Sequence, residues 1–233
     1  GGPNGGSGTQ YFVGDFDGTN FRLDPAFAAS VADQHAVWLD YGSDDYAGVT
    51  WSDIPQADGR RLFLGWMSNW AYAQKVPTTA WRSAMTIPRE LVLRKTGPDY
   101  RIITRPVREL ASLRGVAASI ASAYLAGTLD LTDKLATNSG LAEIVLDLEL
   151  PGAPTGAVGI ELSNSRGETY RIGHEAGTQQ FFSDRTKSGD ASFSEAFAAG
   201  IHTAPRLSED SVLRLHLYVD VSSVELFADD GAT

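Results

Sequence analysis

The chain has 233 residues, 42% hydrophobic and 21% charged, which excludes a disordered polymer and leaves room for one large domain or two modest ones. Its 29 acidic residues against 19 basic ones give a net charge of -10, without the basic footprint that nucleic acid or an anionic lipid surface requires. There is no cysteine, so disulfides, thiolate zinc sites and a cysteine nucleophile are excluded, and no apolar run approaches the roughly 20 residues of a membrane span.

Residues 1–8 (GGPNGGSG) form a glycine-rich opening. It lacks the Lys and Ser/Thr of a phosphate-binding loop and the apolar stretch of a signal peptide, and reads as a surface turn. Residues 10–14 and 19–23 flank Asp15-Phe16-Asp17-Gly18, the pattern of a β-hairpin. Asp15 and Asp17 also match the start of a calcium loop, but the later ligands are missing and turn chemistry is preferred. Strands are expected over 46–52, over 62–67 (apolar on both faces, as in a central buried strand), over 83–94 with a break at Pro88, and over 100–104 after Gly97-Pro98. Short strands at close intervals suggest a meander, such as a propeller blade or part of a sandwich.

Between 107 and 126 the pattern changes. Leu110, Leu113, Ala117, Ile120 and Tyr124 recur at roughly helical spacing, weakened by Gly115. This reads as a linker with room for a short helix, with a domain boundary near Leu113. In the second half, apolar residues alternate strictly: Ala142 to Leu150, Val158 to Leu162, and Leu213 to Val221. Six or seven half-buried strands joined by Gly, Pro and Asn turns point to a β-sandwich. A strand over 224–228 precedes Asp229-Asp230-Gly231, a hairpin turn whose return strand would lie past Thr233. The opening glycine turn likewise leads straight into a hairpin. Both ends are therefore expected to be cut from a longer protein.

Chemistry-bearing residues are concentrated in one place. The four histidines, His35, His174, His202 and His216, show no metal-ligand spacing, and no G-x-S-x-G elbow occurs. No cofactor or metal site is indicated. Between 38 and 81 lie all five tryptophans, with Asp40, Tyr41, Asp44, Asp45, Tyr46, Asn69 and Tyr72 among them. Sugars present apolar C–H faces and rings of hydroxyls, and proteins bind them by aromatic stacking and by carboxylate or amide hydrogen bonds. The alternative is that these tryptophans fill the cores of a propeller or sandwich.

At these residues the sequence resembles glycoside hydrolase family 32, which holds levanases, exo-inulinases and invertases. Residues 38–51 (WLDYGSDDYAGVTW) resemble its D-Y-G…Y-A signature, 65–70 (GWMSNW) a strand of the family, and 81–91 (WRSAMTIPREL) a segment of its bacterial levanase and inulinase branch. Residues 1–18, 184–189, 202–206 and 219–231 fit the same branch, and 115–135 match least well. The resemblance implies an all-β chain: the last part of a five-bladed β-propeller over 1–112, then a β-sandwich over 113–233, truncated at its C-terminus. It implies hydrolysis of terminal β-fructosyl bonds of fructans (levan, inulin) or sucrose with retention, by a carboxylate nucleophile and a carboxyl acid/base. The family's motifs for those groups, W-M-N-D-P-N-G, R-D-P and E-C, do not occur here. The chain alone is therefore expected to be inactive, its natural partner being the missing N-terminal propeller blades of the same protein. Asp40 resembles the family's acidic residue beside the acid/base, and Trp66 a tryptophan lining the fructose pocket. Asn69, Tyr46 and Trp70 are further substrate-binding expectations. A secreted or periplasmic location would accompany this reading. A non-catalytic carbohydrate-binding or scaffold module is the alternative.

Overall fold

The computed structural model describes residues 2–134, 140–150 and 155–233. It opens with the expected hairpin, β1 (Gly14–Phe16) paired to β2 (Phe21–Leu23). Asp17 Oδ1 accepts the amides of Thr19 (2.9 Å) and Asn20 (2.8 Å), so this aspartate is occupied as a turn residue. Helix α1 (Pro25–Gln34) is not among the expected elements. Its start signals are nevertheless present: Asp24 accepts from the amides of Ala26 and Phe27, and Pro25 stands at the first helical position. Its Phe27 is fully buried, with the Arg101 guanidinium over its ring.

A five-stranded antiparallel sheet follows: β3 (Tyr46–Thr50), β4 (Arg61–Met67), β5 (Ala84–Met85), β6 (Arg89–Thr96) and β7 (Asp99–Pro106). The order is β3-β4-β6-β7, with β5 beside the end of β4. Pro88 falls between β5 and β6, where its missing N–H costs the ladder nothing. The central place of β4 accounts for its apolar residues on both faces.

The spacing over 107–126 yields only a 3₁₀ turn, Arg108–Leu113. Residues 114–130 are exposed and form neither helix nor strand. Leu113, Val116 and Tyr124 find no partner surface, being 79%, 81% and 95% exposed, and a helix this short does not persist without one.

Two sheets then face each other. Strands β9 (Ala157–Ser163), β10 (Thr169–Glu175), β11 (Gln180–Lys187) and β12 (His202–Pro205) form one, in the order β12-β11-β10-β9. Strands β8 (Ala142–Glu149), β13 (Val212–Asp220) and β14 (Ser223–Ala228) form the other, in the order β14-β13-β8. A single helical turn, α2 (Glu195–Ala198), precedes β12. The shared core holds Ile172 and Phe181 from the first sheet and Leu213, Leu215, Leu217 and Ala228 from the second. Period-two alternation therefore leaves Glu143, His216, Tyr218, Glu225 and Phe227 on the opposite face of β8, β13 and β14. Part of that face packs against the first half. After β14, Ala228 and Thr233 exchange both backbone hydrogen bonds around the 3₁₀ turn Asp229–Gly231, so the chain reverses here as the Asp-Asp-Gly pattern requires. Gly231 has a φ of +83°, and a Cβ there would lie 1.8 Å from the Thr104 carbonyl of β7. Only glycine lets this turn close onto the sheet.

Candidate functional site

A cleft of about 830 Å³ opens between the two halves. Asp40 lines it from the loop before β3, and Arg89 from the start of β6. Asp40 Oδ1 accepts the Gly42 amide (2.7 Å), the local D-Y-G turn, and Oδ2 accepts from Arg89 Nη1 (2.6 Å). The same nitrogen lies 3.3 Å from Asp45 Oδ2. Arg89 Nη2 donates to Glu225 Oε2 (2.8 Å), and Glu225 Oε1 accepts the Ile87 amide (2.9 Å). The Phe227 ring covers the guanidinium at 5.3 Å.

One buried cation thus meets three carboxylates. Burial works against the Arg89 charge, but Asp40, Asp45 and Glu225 together outweigh it and raise its pKa. The carboxylates bear the imbalance. Burial and then the Asp40 charge push Asp45 up to about 7, with Arg89 opposing. Burial also raises Glu225 against the pull of Arg89. Neither Asp45 oxygen accepts a hydrogen bond, a condition a protonated carboxyl tolerates better than a carboxylate. Gly65 makes the space: a Cβ there would stand 1.9 Å from Asp45 Oδ1.

A second cluster in the lining of the same cleft ties the halves. Arg185 of β11 pairs with Asp44 (2.6 Å), donates to the Tyr72 hydroxyl (3.0 Å) and stacks on Phe197 at 3.9 Å. Tyr72 donates to Asp44 (2.5 Å), and His202 Nε2 lies 2.9 Å from Ser43 Oγ. Burial, then Arg185, lowers the His202 pKa.

The other expected site residues divide differently. Tyr46 stands opposite Trp66 across β3 and β4, and the Trp66 and Trp70 rings lie 5.1 Å apart. Trp66 and Trp70 form an aromatic pair in which Trp70 is 59% exposed, with Tyr46 across the ladder. None of them lines the cleft that Asp40 lines. Asn69 is buried, and its amide is engaged by backbone: Nδ2 donates to Ser43 O (2.9 Å) and Gly5 O (3.3 Å), while Oδ1 accepts from Ser7 (3.2 Å) and Ala71 (2.9 Å). It braces the opening glycine loop and has no capacity left for a sugar hydroxyl. Among the described residues no group of three or more His, Asp or Glu is arranged to hold a metal ion.

Residues 2–106 match the N-terminal domain of glycosyl hydrolases family 32, and residues 109–233 match its C-terminal domain. The chain belongs to glycoside hydrolase family 32. Within that family it is 40% identical over 228 residues to a levanase of Bacillus subtilis (strain 168), covering 97% of this chain and 32% of that protein. It is 36% identical over 238 residues to an extracellular exo-inulinase of Aspergillus awamori, covering 100% and 43%. The crystal structure of exo-inulinase from Aspergillus awamori superposes with a TM-score of 0.80 at 30% identity, over 100% of this chain and 45% of that one. A fructofuranosidase from Schwanniomyces occidentalis complexed with fructosylnystose follows at 0.72 and 25%, over 100% and 47%. The chain thus spans from about a third to just under a half of the length of these relatives.

The family motifs drew attention to Asp40 but not to its anchors. Arg89 sits inside the P-R-E-L segment, next to Glu90, and Glu225 inside V-E-L-F as one charged residue among apolar ones. An ionisable residue at a strand position that packing buries was the available signal.

Proposed function

We propose that this chain supplies the last part of the β-propeller, residues 1–112, and most of the β-sandwich, residues 113–233, of a retaining glycosidase. That enzyme hydrolyses terminal β-fructosyl bonds of fructans or sucrose. The observation that carries this reading is the match to both family domains across the chain, combined with a D-Y-G carboxylate fixed at the mouth of a cleft. The relatives named levanase and exo-inulinase, and the fructofuranosidase complexed with a fructosyl sugar, support the substrate class.

In this reading the nucleophile and acid/base come from the W-M-N-D-P-N-G and E-C motifs of the propeller blades that this sequence lacks. Asp40 stands beside the acid/base. A neighbouring carboxylate disfavours ionisation of that acid and so keeps it protonated for the leaving group. It also accepts a hydroxyl of the departing sugar.

Two measurements test the reading. The 233-residue chain, incubated with levan, inulin or sucrose, is expected to release no fructose above a blank, because the covalent route has no nucleophile. Release by this chain, in a preparation free of contaminating enzyme, would overturn its incompleteness. The intact protein is expected to release fructose, and Asp40→Ala in it to slow turnover about tenfold to a hundredfold while the fold survives. An intact protein that binds fructan without cleaving it would establish a binding module instead.

A further inference from the structure

Arg89 and Glu225 lie 136 positions apart, one in each half of the molecule. On β14, Val224 and Leu226 pack against the sandwich core, so Glu225 and Phe227 face the other way and meet Arg89. The guanidinium spans two partners, with Nη2 on Glu225 and Nη1 on Asp40. Glu225 is itself fixed, because its other oxygen holds the Ile87 amide just upstream of Arg89. The side chains of Arg89 and Glu225 are 5% and 9% exposed, so this is no solvated surface pair. Asp40, at 22%, is the most open of the four charged groups.

We propose that Glu225, from the sandwich half, is a positioning residue for Asp40, acting through Arg89. The sandwich thereby sets where a carboxylate of the other half sits in the cleft. The consequence for catalysis rests on the fructosidase reading; the geometry does not. Competition for the arginine explains why an anchor is needed. Asp45 lies 3.3 Å from Nη1 with neither oxygen accepting a hydrogen bond. Without Glu225 on Nη2, the guanidinium is free to turn and offer Asp45 a two-pronged contact, the geometry arginine favours with carboxylates. Nη1 would then leave Asp40, and Asp40 would keep only its Gly42 bond.

The first test uses the 233-residue chain and no substrate. Glu225→Gln keeps an acceptor for Ile87 but removes the charge that holds Arg89. NMR is expected to show a displaced Asp40 carboxyl ¹³C resonance and freer rotation of the Arg89 guanidinium, with β8 and β13 amides unmoved. Should Glu225→Gln fail to fold, Arg89→Lys is measured instead, since one ammonium cannot bridge both carboxylates in the same way. An Asp40 resonance unchanged in the folded variant would overturn the proposal. The second test uses the intact protein. Glu225→Gln is expected to lower kcat about tenfold, to leave KM within about twofold, and to move the acidic limb of the pH profile. An unaltered kcat and pH profile would also overturn it. If the intact wild type releases no fructose, the fructosidase reading fails, and the Asp40 resonance still decides the positioning.

Discussion

Asp45 illustrates how much a single residue can hide from a sequence. It stands in the D-Y-G…Y-A segment beside Asp44, yet Asp44 pairs with Arg185 while Asp45 is sealed against Gly65 and shares Arg89 with two competitors. The residue types of the segment were legible. Which carboxylate meets which arginine was not, because the paired groups stand 44, 136 and 141 positions apart along the chain. The imbalance has a pH signature. Burial raises Asp45 from an ordinary carboxyl value to about 7, so its contribution to stability is fully present below about pH 4 and is lost as pH rises through about 7. His174 acts in the opposite sense. It is fully buried, neither ring nitrogen has a hydrogen-bond partner, and burial lowers its pKa, so its contribution is present above about pH 6.5 and fades as pH falls. Replacing Asp45 by asparagine is therefore expected to remove the decline in Tm between about pH 4 and 7 and to leave the profile below about pH 4 unchanged. Each kcal/mol recovered corresponds to about 2–4 °C in a chain of this size. Thermal melts across that range check it. Parallel profiles for the wild type and the Asp45→Asn variant throughout the range would mean that Asp45 does not take up a proton near neutrality.

The sandwich strands were readable because their alternation reports a physical fact, one dry face and one wet face. Leu213, Leu215 and Leu217 are essentially fully buried, and the residues between them face outward, as the period-two pattern of β13 requires. The pattern failed where nothing stood opposite. Residues 114–130 carry apolar side chains at roughly helical intervals but have no surface to bury them on. Helix α1 escapes a reading of periodicity for the reverse reason: its cap signals are local, but the short alanine-rich stretch offers only Phe27 as a fully buried contact. These differences in burial predict unequal costs within one sheet. Leu215→Ala in β13 is expected to cost about 2–5 kcal/mol, the range for truncating a buried leucine. Val145→Ala, on the neighbouring β8 but 67% exposed, is expected to stay within about 0.5 kcal/mol. Urea unfolding of the two variants compares them directly, and equal midpoints would show that the two-sheet core does not bear on stability as its packing implies.

For the whole molecule the decisive feature is the junction of the halves, and the sequence said least about it. Among the described residues, contacts cross it in different places: Arg89 to Glu225, Arg185 to Asp44, His202 to Ser43, and the Gly231 turn against Thr104. The Arg89–Glu225 and Arg185–Asp44 pairs are substantially buried, and breaking one partner of such a pair leaves an uncompensated charge, a cost of about 3–5 kcal/mol. The covalent link is much less protected, since residues 114–130 are exposed and outside any helix or strand. Proteases cut where backbone is exposed and unpaired. The first cleavage is accordingly expected within 114–130, and the two pieces are expected to stay together after it. Of the two, residues 1–112 should then be lost first, because Phe12, Phe16, Val49, Trp70, Trp81 and Met85 leave a large apolar surface open on that half while the sandwich encloses its own leucines. Limited proteolysis with size-exclusion chromatography and mass spectrometry follows both steps. Pieces that separate on the column at low salt would refute a junction held by buried ion pairs. Early cuts confined to 140–233, with 1–112 resistant in a monomer, would show that the first half is the better-folded part.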